Sequence, residues 1–401
     1  MATTETTAEA QPASAGGPLV TQRILHVFRA PIGGLFRHVL DLACEQAARG
    51  HAVGLFFDSS KDNARTHDMI ERARPALSLG ITRVPMARNP SPRDFSAMRA
   101  LAGLQREIDA DILHGHGSKG GLYARALPRR YAPHAVRAYT PHGGSFHFGP
   151  GNPRHHLFMA AERWLSRRTD VFLFESRYVA GCFDRYVGAT DRPAMIVHNG
   201  LYPAEFEPVD TSEASFDLVF IGEMLLAKGV DTLLQAMRLI REKRGKAPRL
   251  LAVGSGPDRD LLIQRAREYG LADEVTFEDA QPIRSVLARA HAMVMPSHAE
   301  SLPYVVLEAA AAGMSLIATN VGGIPEILAP CADDLIDPRD VGALAQAILR
   351  HLTEDSAATR ARNAAIRAFL ETNFSIGSMT DAVLAGYAKG RERKALAMQS
   401  R

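Results

Sequence analysis

From Arg23 onward, short apolar and β-branched runs alternate with longer amphipathic stretches, the pattern of βα units that build a parallel sheet. In the first unit, Ile24-Leu25-His26-Val27-Phe28 predicts a strand, Pro31-Ile32-Gly33-Gly34 a turn, and Leu35 to Arg49 a helix closed by Gly50. Further strands are predicted over 53–57, 81–84, 112–114, 135–139, 171–174 and 195–197. The stretch from Asn199 to Ser215 carries Pro203 and Pro208 without periodicity and reads as a linker. A second series follows, with strands over 217–221, 250–253, 275–277, 292–295 and 316–318. The predicted fold is therefore α/β, with two Rossmann-like doubly wound domains, 21–199 and 200–376, facing across a cleft. A flexible tail, 1–20, precedes them. A segment over 377–401, helical from Ser378 to Gly390 and then basic, follows them and is free to pack back on the first domain. Sheets of this kind bind ligands beyond the carboxyl ends of their strands, which places the expected site in the cleft.

Composition narrows the class. A chain of 401 residues is too long for one small domain, and 46% apolar with 23% charged residues excludes global disorder and coiled coil. Cys44, Cys182 and Cys331 are too widely spaced for a metal knuckle or a disulfide framework, which fits a reducing compartment. Charge interrupts every apolar stretch before the roughly 18 residues of a membrane span. The first 19 residues carry Glu5 and Glu9 but neither a basic region nor an apolar core, so no secretory signal is read there and a cytoplasmic location is expected. The net charge of +3 is too near balance for a protein that coats nucleic acid. That total hides a partition: residues 20–200 carry +10 and 12 of the 15 histidines, whereas residues 201–401 carry −5.

Several strand exits hold residues suited to chemistry. Gly33-Gly34 lets a backbone approach a ligand at a helix start, or is simply a tight turn. His114-Gly115-His116-Gly117-Ser118-Lys119-Gly120-Gly121 reads as a glycine-rich loop with two imidazoles and a cation. It admits three readings: a metal site completed by His142, a flexible polar loop, or recognition of hydroxyls and phosphates. No carboxylate or cysteine accompanies the histidines, so the metal reading is set aside. Tyr139-Thr140-Pro141-His142-Gly143-Gly144 repeats the arrangement, and the two loops are expected to converge. A neutral His142 hydrogen-bonds a sugar hydroxyl, and a protonated one stabilises a phosphate.

The most informative segment runs from Pro296 to Ala309 and holds Glu300 and Glu308, with Ser301-Leu302-Pro303 between them. Ser301 is expected to cap a helix that starts between the two acids. Both acids then face one ligand whose anionic part meets the helix start and whose hydroxyls meet the carboxylates, a description that fits a nucleotide sugar. A capping acid beside a solvated one is the plain alternative. The turns Gly222 to Lys228-Gly229, Gly254-Ser255-Gly256 and Gly322-Gly323 offer one cation and three close approaches, although each alone is also an ordinary turn.

These residues, together with Arg37-His38, His198-Asn199-Gly200 and Val321-Gly322-Gly323-Ile324-Pro325-Glu326, resemble the retaining glycosyltransferases of family 4, with the GT-B fold, from about Ile24 to about Phe374. The His114 and His142 segments are most similar to bacterial members that build exopolysaccharide or capsule. The resemblance implies that Glu300 contacts the donor sugar, Glu308 the ribose, and Lys228 the diphosphate. Gly33, Gly34, Gly222, Gly254, Ser301, Leu302 and Pro303 would lie around the donor. His142 would lie beside the reacting centre, and His114, His116, Ser118 and Lys119 on the acceptor side. It implies retention, a UDP-sugar as donor substrate, and neither metal nor other cofactor. One departure stands out: the family's arginine before the lysine is missing, since Glu223-Met224-Leu225-Leu226-Ala227 fills that stretch. Arg29 or a cation from elsewhere is expected to substitute. The basic first domain, with Arg154, Arg163, Arg167 and Arg168 among Leu157, Phe158, Trp164 and Leu165, suggests an anionic membrane surface bearing a glycan or lipid-diphosphate acceptor, or else an ordinary core helix with a solvated side. A nucleotide-sugar epimerase of the same fold and a non-catalytic nucleotide-sugar-binding scaffold are the alternatives.

Overall fold

The computed structural model describes residues 21–60, 64–147, 149–354 and 356–399. The tail expected over 1–20 lies outside the described residues. Seven parallel strands, β1 (Arg23–Val27), β2 (Ala52–Asp58), β3 (Gly80–Val84), β4 (Ile112–His116), β5 (Val136–Thr140), β6 (Val171–Phe174) and β7 (Ala194–Ile196), form one sheet in the order β3-β2-β1-β4-β5-β6-β7. Five more, β8 (Phe216–Ile221), β9 (Leu250–Val253), β10 (Val275–Glu278), β11 (Ala290–Met295) and β12 (Ser315–Ala318), form a second parallel sheet in the order β10-β9-β8-β11-β12. Each sheet carries helices on both faces, so its strands are buried on both sides and read as continuous apolar runs. The strand order reverses between β1 and β4 in the first sheet and between β8 and β11 in the second. Those switch points are where a doubly wound sheet opens a crevice at its carboxyl edge.

The linker and the end of the second domain run side by side. Leu201 N–H donates to the Phe374 carbonyl and Ile376 N–H to the Leu201 carbonyl, both at 2.8 Å. The last helix, Ile376–Gln399, then lies on the first sheet, with Ile376, Met379, Val383 and Tyr387 in its core. The helix does not end at Gly390 as expected but runs on through the basic segment to Gln399. Arg391 to Gln399 are good helix formers, and Lys394 Nζ donates to the Ala135 carbonyl at 2.8 Å.

Two other expectations change. The His114–Gly121 run is not a loop: β4 continues through His116, and a helix, Gly117–Ala126, starts at once. Its glycines serve close packing, because a Cβ on Gly120 would sit 2.0 Å from the Val27 carbonyl oxygen and one on Gly121 2.2 Å from the Tyr139 ring. Ser301 does not cap the next helix either. That helix is Tyr304–Ala311, with Pro303 at the N-cap position and no side-chain cap. A proline there already fixes the backbone for entry, and the 301–302 segment is held instead by the Gly322-Gly323 turn.

Candidate active site

On the second domain, the crevice between β8 and β11 is walled by two short segments. The one after β8 ends in Lys228 and Gly229, ahead of the helix Val230–Arg244. The one after β11 carries Ser297 and Glu300. Lys228 Nζ lies 2.7 Å from Glu300 Oε1, which also accepts a 2.7 Å bond from Ser297 Oγ. Glu300 is 8% exposed and Lys228 27%, so the acid is buried and the cation half-buried beside it. Gly229 (φ +74) fits the two segments together, since a Cβ there would be 1.8 Å from the Pro296 carbonyl oxygen. Behind Glu300, Gly323 N–H donates to the Ser301 carbonyl at 2.6 Å, and a Cβ on Gly322 would fall 2.0 Å from the Glu300 carbonyl oxygen. Gly254 packs just as closely on the Gly222 carbonyl. The glycines therefore serve backbone-to-backbone contact that holds the carboxylate and ammonium in place.

On the first domain, the carboxyl ends of β1, β4 and β5 bring together His26, His114, His116 and His142, and the helix Gly33–Ala48 adds His38. His26 Nδ1 meets His116 Nε2 at 2.9 Å, and His116 Nδ1 meets His142 Nε2 at 3.1 Å. His26 Nε2 meets Gln46 Oε1 at 2.8 Å, and His114 lies between Tyr387 and Thr140 at 2.8 and 2.9 Å. His38 Nδ1 meets Asn199 Oδ1 at 2.9 Å, and Asn199 Nδ2 donates to the Leu302 carbonyl at 2.9 Å, which ties the cluster to the Glu300 segment. Burial lowers the pKa of all five; His26 and His38 fall to about 4. They are neutral at pH 7, which removes the reading of His142 as a resident cation. His26-His114-His116 and His38-His116-His142 are the two groups among the described residues able to hold a metal ion. His116 already bonds His26 and His142, whereas His114 bonds Tyr387 and Thr140 and His38 bonds Asn199.

Not every predicted residue is on the surface of the cleft. His114 is fully enclosed, and Lys119, 9% exposed, sends its ammonium 2.6 Å from Asp94 and to the Asn89 carbonyl. Both are therefore internal supports. Ser118 is exposed. Gly34 abuts the second domain, since a Cβ there would be 3.4 Å from the Tyr304 ring. The titratable neighbours of Arg29 are Asp58, Arg88 and Tyr123, all in the first domain. The cation that crosses between domains is Arg37, which bonds Glu308 and Glu205 at 2.5 Å each and lies 4.4 Å over the Tyr304 ring. Its partners outweigh burial and raise its pKa.

Glu326 makes a second bridge, accepting from the backbone N–H groups of Arg177 and Tyr178 and from His198 at 2.9 to 3.0 Å. Burial pushes its pKa up, but these donors prevail and hold it below the usual range. Glu175, fully enclosed near the His142 and Gly143 amides, is pushed up by burial to about 7. The sequence reading missed His26, Gln46, Glu175 and Tyr387. A histidine inside a strand and a tyrosine inside a helix carry no local signal of a site.

Two parallel α/β domains that close over a lysine, two glutamates and a histidine cluster define the class. Residues 32–205 match the model of Glycosyltransferase Family 4, and residues 203–368 that of Glycosyl transferases group 1. The chain belongs to the family 4 glycosyltransferases and has their GT-B fold. It is 30% identical to D-inositol 3-phosphate glycosyltransferase of Mycolicibacterium smegmatis over 391 residues, 89% of this chain and 86% of that one. It is 28% identical to glycogen synthase of Mycobacterium tuberculosis over 90% of this chain and 93% of the other. It is 30% identical to the putative glycosyltransferase EpsD of Bacillus subtilis over 61% and 68%. In fold it is similar to HepE of Anabaena in complex with UDP and glucose, with TM-score 0.74 and 16% identity over 91% of this chain and 98% of that one.

Proposed function

We propose that the protein transfers a hexose from a UDP-sugar, with retention and without a metal, to a glycan or lipid-diphosphate-linked acceptor in bacterial cell-surface polysaccharide synthesis. The observation that carries this is the Lys228–Glu300 pair at the switch point of the second sheet, tied through Leu302 and Asn199 to the histidines of the first. In this reading Lys228 meets the diphosphate, whose charge grows as it leaves, and Glu300 orients the donor sugar. Glu308 takes the ribose once Arg37 gives way. His142, neutral, accepts from a hydroxyl, so charge stabilisation falls to Lys228. The acceptor hydroxyl loses its proton to the departing phosphate on the same face of the sugar, which requires no separate base.

The acceptor side is read from the helix Pro153–Ser166. It leaves Leu157 63% and Trp164 45% exposed beside exposed Arg154, Arg163 and Arg167, with Arg168 4.2 Å over the Trp164 ring. Aromatic and basic groups on one helix suit the anionic inner face of a membrane. No helix among the described residues is long and apolar enough to cross one. The test mixes pure protein, a chelator, a panel of UDP-, GDP- and ADP-sugars and a lipid-linked acceptor, and measures free nucleoside diphosphate and extended acceptor. Acceptor-dependent release of UDP is expected. Donor conversion without acceptor would indicate an epimerase, and binding without turnover a scaffold.

A further inference from the structure

The hydrogen bonds around four of the five histidines, His26, His114, His116 and His142, form one chain whose direction can be worked out. At one end stands the Tyr387 hydroxyl, which has a single proton to give. Its contact with His114 Nδ1 is 2.8 Å and its contact with Gln46 Nε2 is 3.3 Å. The short contact suits a donated O–H and the long one a weak N–H from the amide, since a donated O–H···O bond would be near 2.7–2.8 Å. The Gln46 amide nitrogen therefore faces Tyr387, and its oxygen faces His26. From there each step follows. Gln46 Oε1 accepts from His26 Nε2–H, so His26 Nδ1 is bare and accepts from His116 Nε2–H. His116 Nδ1 is then bare and accepts from His142 Nε2–H. A doubly protonated His26 or His116 would set two donors against each other.

We propose that Gln46 and Tyr387 are positioning residues that hold His142 as its Nε2–H tautomer, so that Nδ1 is presented as a hydrogen-bond acceptor. The opposite direction, with the amide turned over, would make Nδ1 a donor and favour an anion in place of a hydroxyl. A side branch is set independently. Asn199 gives its amide protons to the Leu302 carbonyl, so its oxygen accepts from His38 Nδ1–H and leaves His38 Nε2 bare, consistent with that atom being buried without a partner. Tyr387 rides on the last helix, so the docking of that helix is transmitted to the cleft through side chains 341 positions apart in sequence.

The role given to the bare nitrogen rests on the proposed transfer reaction, but the tautomers do not, and the test separates the two. Protein labelled with ¹⁵N-histidine and held at pH 7.5 without substrate is examined by long-range ¹H–¹⁵N correlation, with His142 assigned through His142→Gln. Nε2–H signals are expected for His26, His114, His116 and His142, and an Nδ1–H signal for His38. An Nδ1–H signal from His116 or His142 would overturn the proposal. In Tyr387→Phe the amide loses its reason to face one way, so a second, Nδ1–H population of His142 is expected, with kcat/KM down about tenfold, about 1.4 kcal/mol. A folded Tyr387→Phe with wild-type tautomers also overturns it. If that variant does not fold, Gln46→Met serves for the same measurement, and the wild-type spectrum already decides the direction.

Discussion

Replacing Gly229 with alanine isolates what holds Lys228 against Glu300. Gly229 and Gly245 both lie in the left-handed region, at φ +74 and +78, the first before the helix Val230–Arg244 and the second after it. Around Gly245 a new Cβ meets nothing within 4 Å, so Gly245→Ala measures backbone strain alone, about 1–2 kcal/mol. At Gly229 the same strain is joined by a Cβ that would lie 1.8 Å from the Pro296 carbonyl oxygen. Neither atom belongs to a side chain that can rotate away, so the two segments must part by more than an ångström. Overpacking of this kind costs about 1–3 kcal/mol, which brings Gly229→Ala to about 2–5 kcal/mol in total. The same displacement opens the 2.7 Å Lys228–Glu300 contact. Urea unfolding of both variants, paired with calorimetric titration of UDP, reads the two effects. Gly245→Ala should bind UDP normally, and Gly229→Ala should lose both stability and affinity. Equal costs for the two variants with unchanged affinity in Gly229→Ala would refute the reasoning.

Three further outcomes are expected. The folded pKa values of His26 and His38, about 4, lie below the unfolded value of 6.5, so between these pH values the unfolded chain binds more protons. Their contribution to stability is complete above pH 6.5 and is lost as pH falls toward 4, by about 1.4 kcal/mol per unit for each residue. His26→Gln should flatten the acid limb of stability against pH, and an unchanged slope would count against buried neutral histidines. Arg37→Met removes the cation that occupies Glu308, so UDP should bind about fivefold tighter while the melting temperature drops; unchanged affinity would show that Arg37 does not compete with the ribose. Leu157→Ser with Trp164→Ser should weaken co-sedimentation with anionic vesicles about tenfold, and equal binding would remove this helix from any membrane contact.

The strands were legible because both sheets bury their faces on both sides, which leaves continuous apolar runs whose shortness, β-branched residues and flanking turn residues separate them from buried helices. The glycine-rich run after β4 misled for a physical reason. Glycines signal a flexible loop as readily as a helix pressed against a sheet, and only the position of Tyr139 and the Val27 carbonyl shows that Gly120 and Gly121 answer to packing. Glu300 and Lys228 stood out through local motifs, yet their 2.7 Å contact joins turns 72 positions apart. Still less visible were Arg37 against Glu308 and Tyr387 against Gln46. Such pairs depend on how the two domains close and where the last helix lands, and a single sequence does not encode long-range contacts in any local pattern.

That Lys228 carries the diphosphate of the donor is the central claim, and titration of UDP into wild-type protein and Lys228→Met tests it most directly. Loss of one charge-assisted contact of about 2–3 kcal/mol should weaken UDP binding about 30- to 150-fold in a variant that remains folded. Wild-type affinity in Lys228→Met would contradict the placement of the nucleotide in this cleft.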